Sequence, residues 1–127
     1  MSKHLVFKKK ELEQFKPTKK TIQFIENYCS KNNLKKNEIK ILDWGCSRGA
    51  EVFWLKKEGY DITFGVDIDK EPINNGLLLA CDLGYKKSTL RVLSPDGKTD
   101  FPDNYFDIIF SNQVLEHVKE IDKVANE

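Results

Sequence analysis

The chain has 127 residues, of which 39% are hydrophobic and 32% are charged, and its formal net charge at pH 7 is +1. These proportions are typical of one globular domain and exclude a disordered chain. The near-neutral charge gives no reason to expect a nucleic-acid partner. No apolar run reaches the roughly 20 residues that a membrane-spanning helix needs, so no membrane association is expected.

The N-terminal segment, residues 1–17, is interpreted as a basic arm. The first twenty residues contain seven Lys and only two Glu. Such a charge run is typical of a solvated, frayed terminus, and the alternative is a docking arm for an acidic partner. We expect the folded domain to occupy residues 18–127.

From residue 18 onward, helical and strand patterns alternate. Apolar residues at helical spacing predict a helix over residues 18–31, and a short apolar run predicts a buried strand at 39–43. The remaining predicted elements are a helix at 49–58, a strand at 62–66, a helix capped by Asp69 and ended by Gly84, a strand at 89–93, a loop at 94–104, a strand at 105–111 and a closing helix at 112–126. This alternation predicts an α/β fold with a doubly wound parallel sheet and helices on both faces.

The turn after the first predicted strand contains small residues at alternate positions. Gly45 and Gly49 would allow a ligand to approach the backbone closely, and ligands of doubly wound sheets bind at the carboxyl ends of the strands. A dinucleotide site would require glycine at position 47, where this chain has Ser47. Asp43 ends the strand, and its carboxylate would repel a pyrophosphate and suit a cationic group. A nicotinamide dehydrogenase is therefore disfavoured.

A second acid, Asp67, ends the next predicted strand, 24 residues after Asp43. In nucleotide-binding α/β folds, an acid about 20 residues beyond the turn binds the ribose hydroxyls. The alternative is that Asp67 only caps the following helix, a role for which Asp69 is better placed. The two acids and the glycines together predict a nucleoside ligand that needs no phosphate site.

The cysteine pattern favours a reducing compartment. The three cysteines are an odd number and form no C-x-x-C pair, so neither a disulfide framework nor a metal site is expected. With no signal-peptide pattern either, a cytoplasmic location is predicted.

Three segments in order resemble one known family. "ILDWGCSRGAE" resembles the glycine-rich motif of class I S-adenosylmethionine-dependent methyltransferases, and "GVDID" resembles their ribose-binding motif. "FPDNYFDIIFSNQVLEHV" is similar to the fourth strand and helix of the type 11 branch of that family. The resemblance covers most of the chain from residue 41 onward and implies a Rossmann-like fold that binds S-adenosylmethionine and releases S-adenosylhomocysteine.

The resemblance also implies a set of cofactor contacts. Asp43 and the backbone of residues 45–47 would face the amino group and sulfonium of the methionine moiety, Asp67 would hold the ribose hydroxyls, and Ile68 would pack on the adenine. The full implied set is Asp43, Gly45, Cys46, Ser47, Gly49, Asp67, Ile68, Asp96, Ser111 and Asn112.

The sequence departs from the family pattern at two of the implied contacts, beside Asp96 and at Ser47. Asp96 is the candidate for the adenine amine, although Pro95 beside it lacks a backbone N–H, and Ser111 and Asn112 would border the transferable methyl group. Ser47 replaces the middle glycine of the motif, which we expect to be tolerated, with weaker cofactor binding as its cost.

The family fold usually has seven strands, whereas four are predicted before Glu127. In the family order the fourth strand, which contains "YFDIIF", becomes an edge without the Lys or Pro that protects natural edges. We therefore expect either self-association through this edge or a chain that is part of a longer protein.

The resulting functional hypothesis is methyl transfer from S-adenosylmethionine to a small-molecule acceptor. The alternative is a catalytically inactive module that binds the cofactor or its product, as a partner subunit would. Catalysis would depend mainly on alignment of the acceptor, so no catalytic residue is named. His117, six residues beyond the fourth strand, is interpreted as a packing or surface residue.

Overall fold

The computed structural model describes residues 9–111. The elements in chain order are helix α1 (Lys9–Gln14), helix α2 (Lys19–Asn32), strand β1 (Lys40–Trp44), helix α3 (Ala50–Lys57), strand β2 (Ile62–Asp67), helix α4 (Lys70–Leu83), a 3₁₀ turn (Lys87–Thr89), strand β3 (Leu90–Val92) and strand β4 (Ile108–Phe110). The predicted closing helix, with Asn112 and His117, lies outside the described residues.

Local capping chemistry explains where the longer helices begin and end. The Thr18 side chain accepts a hydrogen bond from the Thr21 backbone N–H at 3.3 Å, so α2 starts as predicted. Asn33 at φ 55° and Gly84 at φ 80° end α2 and α4 in the left-handed conformation. The prediction that the Asp69 side chain caps α4 was wrong. Asp69 occupies the N-cap position, but its side chain makes no capping hydrogen bond.

The four strands form one parallel sheet in the order β3-β2-β1-β4. In the register of this sheet, Asp43 of β1 lies between Gly65 of β2 and Phe110 of β4. The strands joined by α3 (β1 and β2) run parallel, and so do the strands joined by α4 (β2 and β3). In such strand–helix–strand units the crossover is almost always right-handed. The predicted α/β class is confirmed, and β4 lies at an edge of the described sheet, as the family resemblance implied.

The described helices all pack on one face of the sheet. Val52 and Phe53 of α3 join a cluster with residues of α1 and α4, whereas Leu55 of α3 joins a second cluster with Ile25 of α2 and Ile41 of β1. The opposite face carries Leu42, Val66 and Leu93, with the aromatic side chains of Trp44, Phe64, Phe101 and Phe106. The helix predicted for that face lies in the part of the chain that the structure does not describe.

Two segments differ from the sequence predictions. The basic arm was expected to be solvated, yet residues 9–14 form α1, and Leu12 is buried in the first cluster. The fourth strand begins at Ile108 rather than at residue 105. The Asp107 side chain accepts a hydrogen bond from the Lys40 N–H at 2.9 Å, and the Asp107 N–H donates to the Lys40 carbonyl at 2.8 Å. These two bonds join the residue directly before β4 to the start of β1. The preceding residues Tyr105 and Phe106 do not extend the strand and pack against Phe101.

Candidate functional site

The turn between β1 and α3 is held in an unusual backbone conformation. Gly45, Ser47 and Gly49 all have positive φ angles, of 79°, 53° and 87°. The N–H groups of Gly45 and Cys46 both donate to the Val66 carbonyl, at 2.8 and 2.9 Å. These bonds attach the turn to β2 and leave its outer surface at the carboxyl edge of the sheet, directly before the N-terminus of α3.

Close packing also requires a small residue at the end of the turn. A Cβ atom added to Gly49 would lie 2.9 Å from both methyl carbons of Leu90, in addition to the strain of its φ angle. The turn therefore combines a left-handed backbone with a tight contact to β3. Ser47, with a φ of 53°, adopts the left-handed conformation that glycine adopts most easily.

Asp67 connects the turn to the start of α4. One carboxylate oxygen accepts a hydrogen bond from the Ser47 N–H at 2.8 Å, and the other accepts from the Asp69 N–H at 2.9 Å. The side chain is only 7% exposed. An ionised carboxylate has about four acceptor positions, so these two bonds leave capacity for ribose hydroxyls. The ribose-binding role of Asp67 stays a prediction.

Asp43 is an acid buried almost completely at the end of β1. It is 2% exposed, and it lies in the sheet between β2 and β4. Burial raises its pKa well above the ordinary value, and the charges of Glu51 and Asp67 raise it further. A positive group beside these acids would reverse that effect, because an opposite charge favours the ionised form.

Glu51 is a third acid at this edge, and the sequence analysis did not identify it. It lies in the first turn of α3, two residues after Gly49, and its Oε2 atom is buried without a hydrogen-bond partner among the described residues. Burial raises its pKa from 4.5 to about 7. The available signal was an acid directly after the glycine motif, at a position that the motif itself does not specify.

The cysteine of the turn has no nucleophilic character. Cys46 is buried, and burial raises its pKa, with the charges of Asp43 and Asp67 adding to the effect. Its thiol therefore stays protonated, and protonated thiols are poor nucleophiles. All three cysteines are free. Among residues 9–111, no group of His, Cys, Asp and Glu side chains is arranged to hold a metal ion.

Two further predicted contact residues, Ile68 and Ser111, lie at the same edge of the sheet. Ile68 follows Asp67 directly and is 68% exposed, so it presents an open apolar surface beside the acid. Ser111 is buried directly after β4, next to the strand that carries Asp43. Eight of the ten predicted contact residues thus lie at the carboxyl edge of the sheet: Asp43, Gly45, Cys46, Ser47, Gly49, Asp67, Ile68 and Ser111.

The structure does not bring Asp96 into this group. Asp96 is exposed and accepts hydrogen bonds from the Ser94 hydroxyl and the Lys98 N–H, which lower its pKa. With Trp44 it lines a cavity of about 540 Å³ that Asp43, Asp67 and Ile68 do not line. Trp44 joins the apolar cluster on the face of the sheet opposite the described helices. A role for Asp96 toward adenine stays a prediction.

The residues present fit a ligand with the chemistry of S-adenosylmethionine. Three acids, two of them with raised pKa values and one with an unpaired oxygen, surround a turn that exposes backbone to the edge of the sheet. A cationic group would stabilise the ionised acids, and Ile68 offers apolar surface beside the ribose-type acid. An anionic phosphate would be repelled by the same set.

Comparison with known proteins agrees with this chemistry. The family model described as "Methyltransferase domain" matches residues 42–127. A solved structure of a SAM-dependent methyltransferase from Aquifex aeolicus superposes with a TM-score of 0.57 at 20% identity, over 94% of this chain and 66% of that chain. At that identity the superposition shows the fold alone.

Two curated proteins are similar in sequence. Phosphoethanolamine N-methyltransferase 3 of Arabidopsis thaliana is 32% identical over 82 residues, which are 64% of this chain and 16% of that protein. Ubiquinone biosynthesis O-methyltransferase of Aeromonas salmonicida (strain A449) is 30% identical over 79 residues, 62% of this chain and 32% of that protein. The chain therefore spans less than a third of the length of these relatives. The match over residues 42–127, together with the fold, shows that the chain belongs to the methyltransferase-domain family.

Proposed function

We propose that this chain binds S-adenosylmethionine at the carboxyl edge of β1 and β2 and takes part in methyl transfer to a small-molecule acceptor. The observation that carries the proposal is Asp43, a nearly fully buried carboxyl group with two other acids around it. Such a group is costly unless a cation approaches it, and the methionine moiety of this cofactor is cationic.

Each side chain at this edge has a distinct task in the proposal. Asp43 faces the amino group of the methionine moiety, and the backbone of the turn at residues 45–47 lies along it. Asp67 accepts hydrogen bonds from the ribose hydroxyls while it retains its bonds to the Ser47 and Asp69 N–H groups. The exposed Ile68 side chain covers one face of the adenine ring, and Ser111 borders the methyl group.

The chemistry follows from what the cofactor supplies. When bound, S-adenosylmethionine supplies a methyl group that is already activated by the positive sulfonium sulfur. The protein holds the acceptor in line with that methyl group and excludes water, which is a proximity effect. An acceptor lone pair forms the new bond to carbon as the sulfur–carbon bond breaks. A general base is needed only where the acceptor must lose a proton.

A small-molecule acceptor is the class that the relatives support. One relative is named for N-methylation of phosphoethanolamine and the other for O-methylation in ubiquinone biosynthesis. Both names refer to small molecules, while the atom that is methylated differs. The proposal therefore specifies neither the acceptor nor the atom that is methylated. Both are identified by screening small molecules after cofactor binding has been measured. A cytoplasmic location, predicted from the cysteine pattern, completes the proposal.

Calorimetric titration with S-adenosylhomocysteine tests the cofactor site. We expect micromolar binding to the wild-type chain and a loss of at least about tenfold in affinity for Asp67→Ala, because the ribose acceptor is removed. Asp82→Ala removes an exposed acid from α4 and is the matched control. Thermal unfolding of both variants shows that they are folded. A folded wild-type chain that does not bind the product contradicts the proposal.

A further inference from the structure

Glu51 has no task in the cofactor site proposed above, although it lies at the centre of its electrostatics. It lies in the first turn of α3, two residues after Gly49, and its charge raises the pKa of both Asp43 and Cys46. The glycine motif does not require an acid at this position. The side chain is therefore a feature of this chain that the motif leaves unexplained.

The position of Glu51 is unfavourable for an acid without a ligand. Its Oε2 atom is buried, and no described residue donates a hydrogen bond to it. Leaving a buried acceptor without a partner has a substantial cost, and a neighbouring acid that is itself buried adds repulsion. Asp43, at 2% exposure, is such a neighbour. The Glu51 Oε2 atom thus lacks a donor among the described residues, while a buried acid raises its electrostatic cost.

Resting on the proposed function, we propose that Glu51 is a positioning residue for the cofactor, and that its Oε2 atom accepts a hydrogen bond from the ammonium group of the methionine moiety. An ammonium group carries three N–H donors, enough for one bond to Asp43 and one to Glu51. The sulfonium group is also cationic but has no N–H or O–H, so it cannot satisfy the unpaired oxygen. The ribose hydroxyls are the task of Asp67, at the end of the neighbouring strand.

Two ligands separate the ammonium contact from the rest of the site. S-adenosylhomocysteine contains the ammonium group, whereas 5′-methylthioadenosine has the same nucleoside and sulfur but lacks the amino-acid part. Both are titrated into the full 127-residue chain and into Glu51→Gln. Glu58→Gln, an exposed residue at the C-terminal end of α3, is the matched control.

We expect Glu51→Gln to bind S-adenosylhomocysteine about tenfold more weakly than wild type, because the amide oxygen that replaces the carboxylate carries no negative charge and forms a weaker bond to the ammonium group. Binding of 5′-methylthioadenosine should change by less than about twofold, and Glu58→Gln should match wild type for both ligands. Without ligand, Glu51→Gln should unfold at a higher temperature than wild type at pH 8, since the variant removes the buried unpaired charge.

Several results would overturn the inference. Unchanged binding of S-adenosylhomocysteine by Glu51→Gln would show that the side chain does not contact the ligand. An equal loss of both ligands, or a lower unfolding temperature for the free variant, would show a structural role. A wild-type chain that binds neither ligand would overturn the cofactor proposal itself. If Glu51→Gln still binds 5′-methylthioadenosine, the cofactor site is intact, and a failure of the Glu51 inference can be told apart from a failure of the cofactor proposal.

Discussion

At the scale of single residues, Ser47 shows how the turn tolerates a departure from the family motif. Its φ of 53° lies in the left-handed region, which a side chain with a Cβ atom enters at a cost of roughly 1–2 kcal/mol. The conformation persists because the Ser47 N–H is held by Asp67 and the flanking glycines have the same sign of φ. The hydrogen bond uses the backbone N–H, so any residue except proline can make it at this position.

Ser47→Gly should therefore stabilise the chain by about 0.5–1 kcal/mol, as strain relief exceeds the added entropy of the unfolded state. Urea unfolding followed by circular dichroism measures the change. Ser47→Ala is the control, because it keeps the Cβ atom and removes only the hydroxyl group. Equal stabilisation by both variants would show that strain at the Cβ atom is not the cause.

Glu51 makes stability depend on pH in a direction opposite to that of most acids. Its pKa in the folded chain is about 7, above its ordinary value of 4.5, so the folded state binds more protons between these values. The contribution of Glu51 to stability is therefore fully present below pH 4.5 and is lost as the pH rises through 7. Asp43, whose pKa is also raised, acts in the same direction.

The Glu51 contribution can be isolated by comparing wild type with Glu51→Gln, which mimics the protonated acid. Because the side chain is only partly buried, we expect the stability difference between the two to grow in favour of the variant by on the order of 1 kcal/mol from pH 5 to pH 8. Urea unfolding at several pH values measures it. A difference that is independent of pH would contradict the raised pKa.

At the scale of elements, the position of the turn depends on how closely α4 approaches it. A Cβ atom added to Gly76 of α4 would lie 2.2 Å from the Arg48 carbonyl oxygen and 2.6 Å from a methyl carbon of Leu90. Helix and turn thus touch through backbone atoms. Glycine inside a helix lowers helix propensity, and the contact explains why that cost is accepted here.

Gly76→Ala should destabilise the chain by about 2–3 kcal/mol despite the better helix propensity of alanine, because the turn or the helix must move. The same movement should weaken binding of S-adenosylhomocysteine. Gly84→Ala is the control, since nothing lies within 4 Å of its added Cβ atom and only the strain of φ 80° remains, about 1 kcal/mol. A Gly76→Ala variant as stable as wild type would contradict the close approach of α4 to the turn.

Helix α1 is a second case in which an element contributes beyond its sequence signal. It has only six residues, too few to be stable alone, yet it buries Leu12 against α3 and α4. Glu11 of the same helix forms an ion pair with Arg48 of the turn, with 3.6 Å between the charged atoms. The N-terminal segment therefore packs against the same turn that the cofactor proposal uses.

At the scale of the whole molecule, the parallel sheet has β3 and β4 at its two edges within the described residues. β4 is three residues long and carries Ile108, Ile109 and Phe110. None of these is a Lys or Pro, which commonly protect the edges of natural sheets. No helix among residues 9–111 is long and apolar enough to cross a membrane.

If the β4 edge is open in solution, the 127-residue chain should associate through it as the concentration rises. We expect size-exclusion chromatography with light scattering to show a mass above 14.7 kDa at high concentration that falls on dilution. A monomer across the whole concentration range would contradict this prediction. The outcome is independent of the cofactor proposal, because β4 contributes its backbone edge rather than a ligand contact.

The sequence by itself determined the alternation of strands and helices and the identity of the glycine turn, whereas the expected place of the fourth strand at an edge came from the family resemblance. The first two depend on local signals: apolar runs of strand length, glycines at fixed spacing and an acid at each strand end. The tertiary structure decided what depends on burial. It showed that Asp43 is enclosed, that Glu51 has a buried oxygen without a partner among the described residues, and that Asp96 lines a cavity whose walls do not include Asp43 or Asp67. A side chain acquires such properties only from residues distant in the chain, so no local pattern could reveal them.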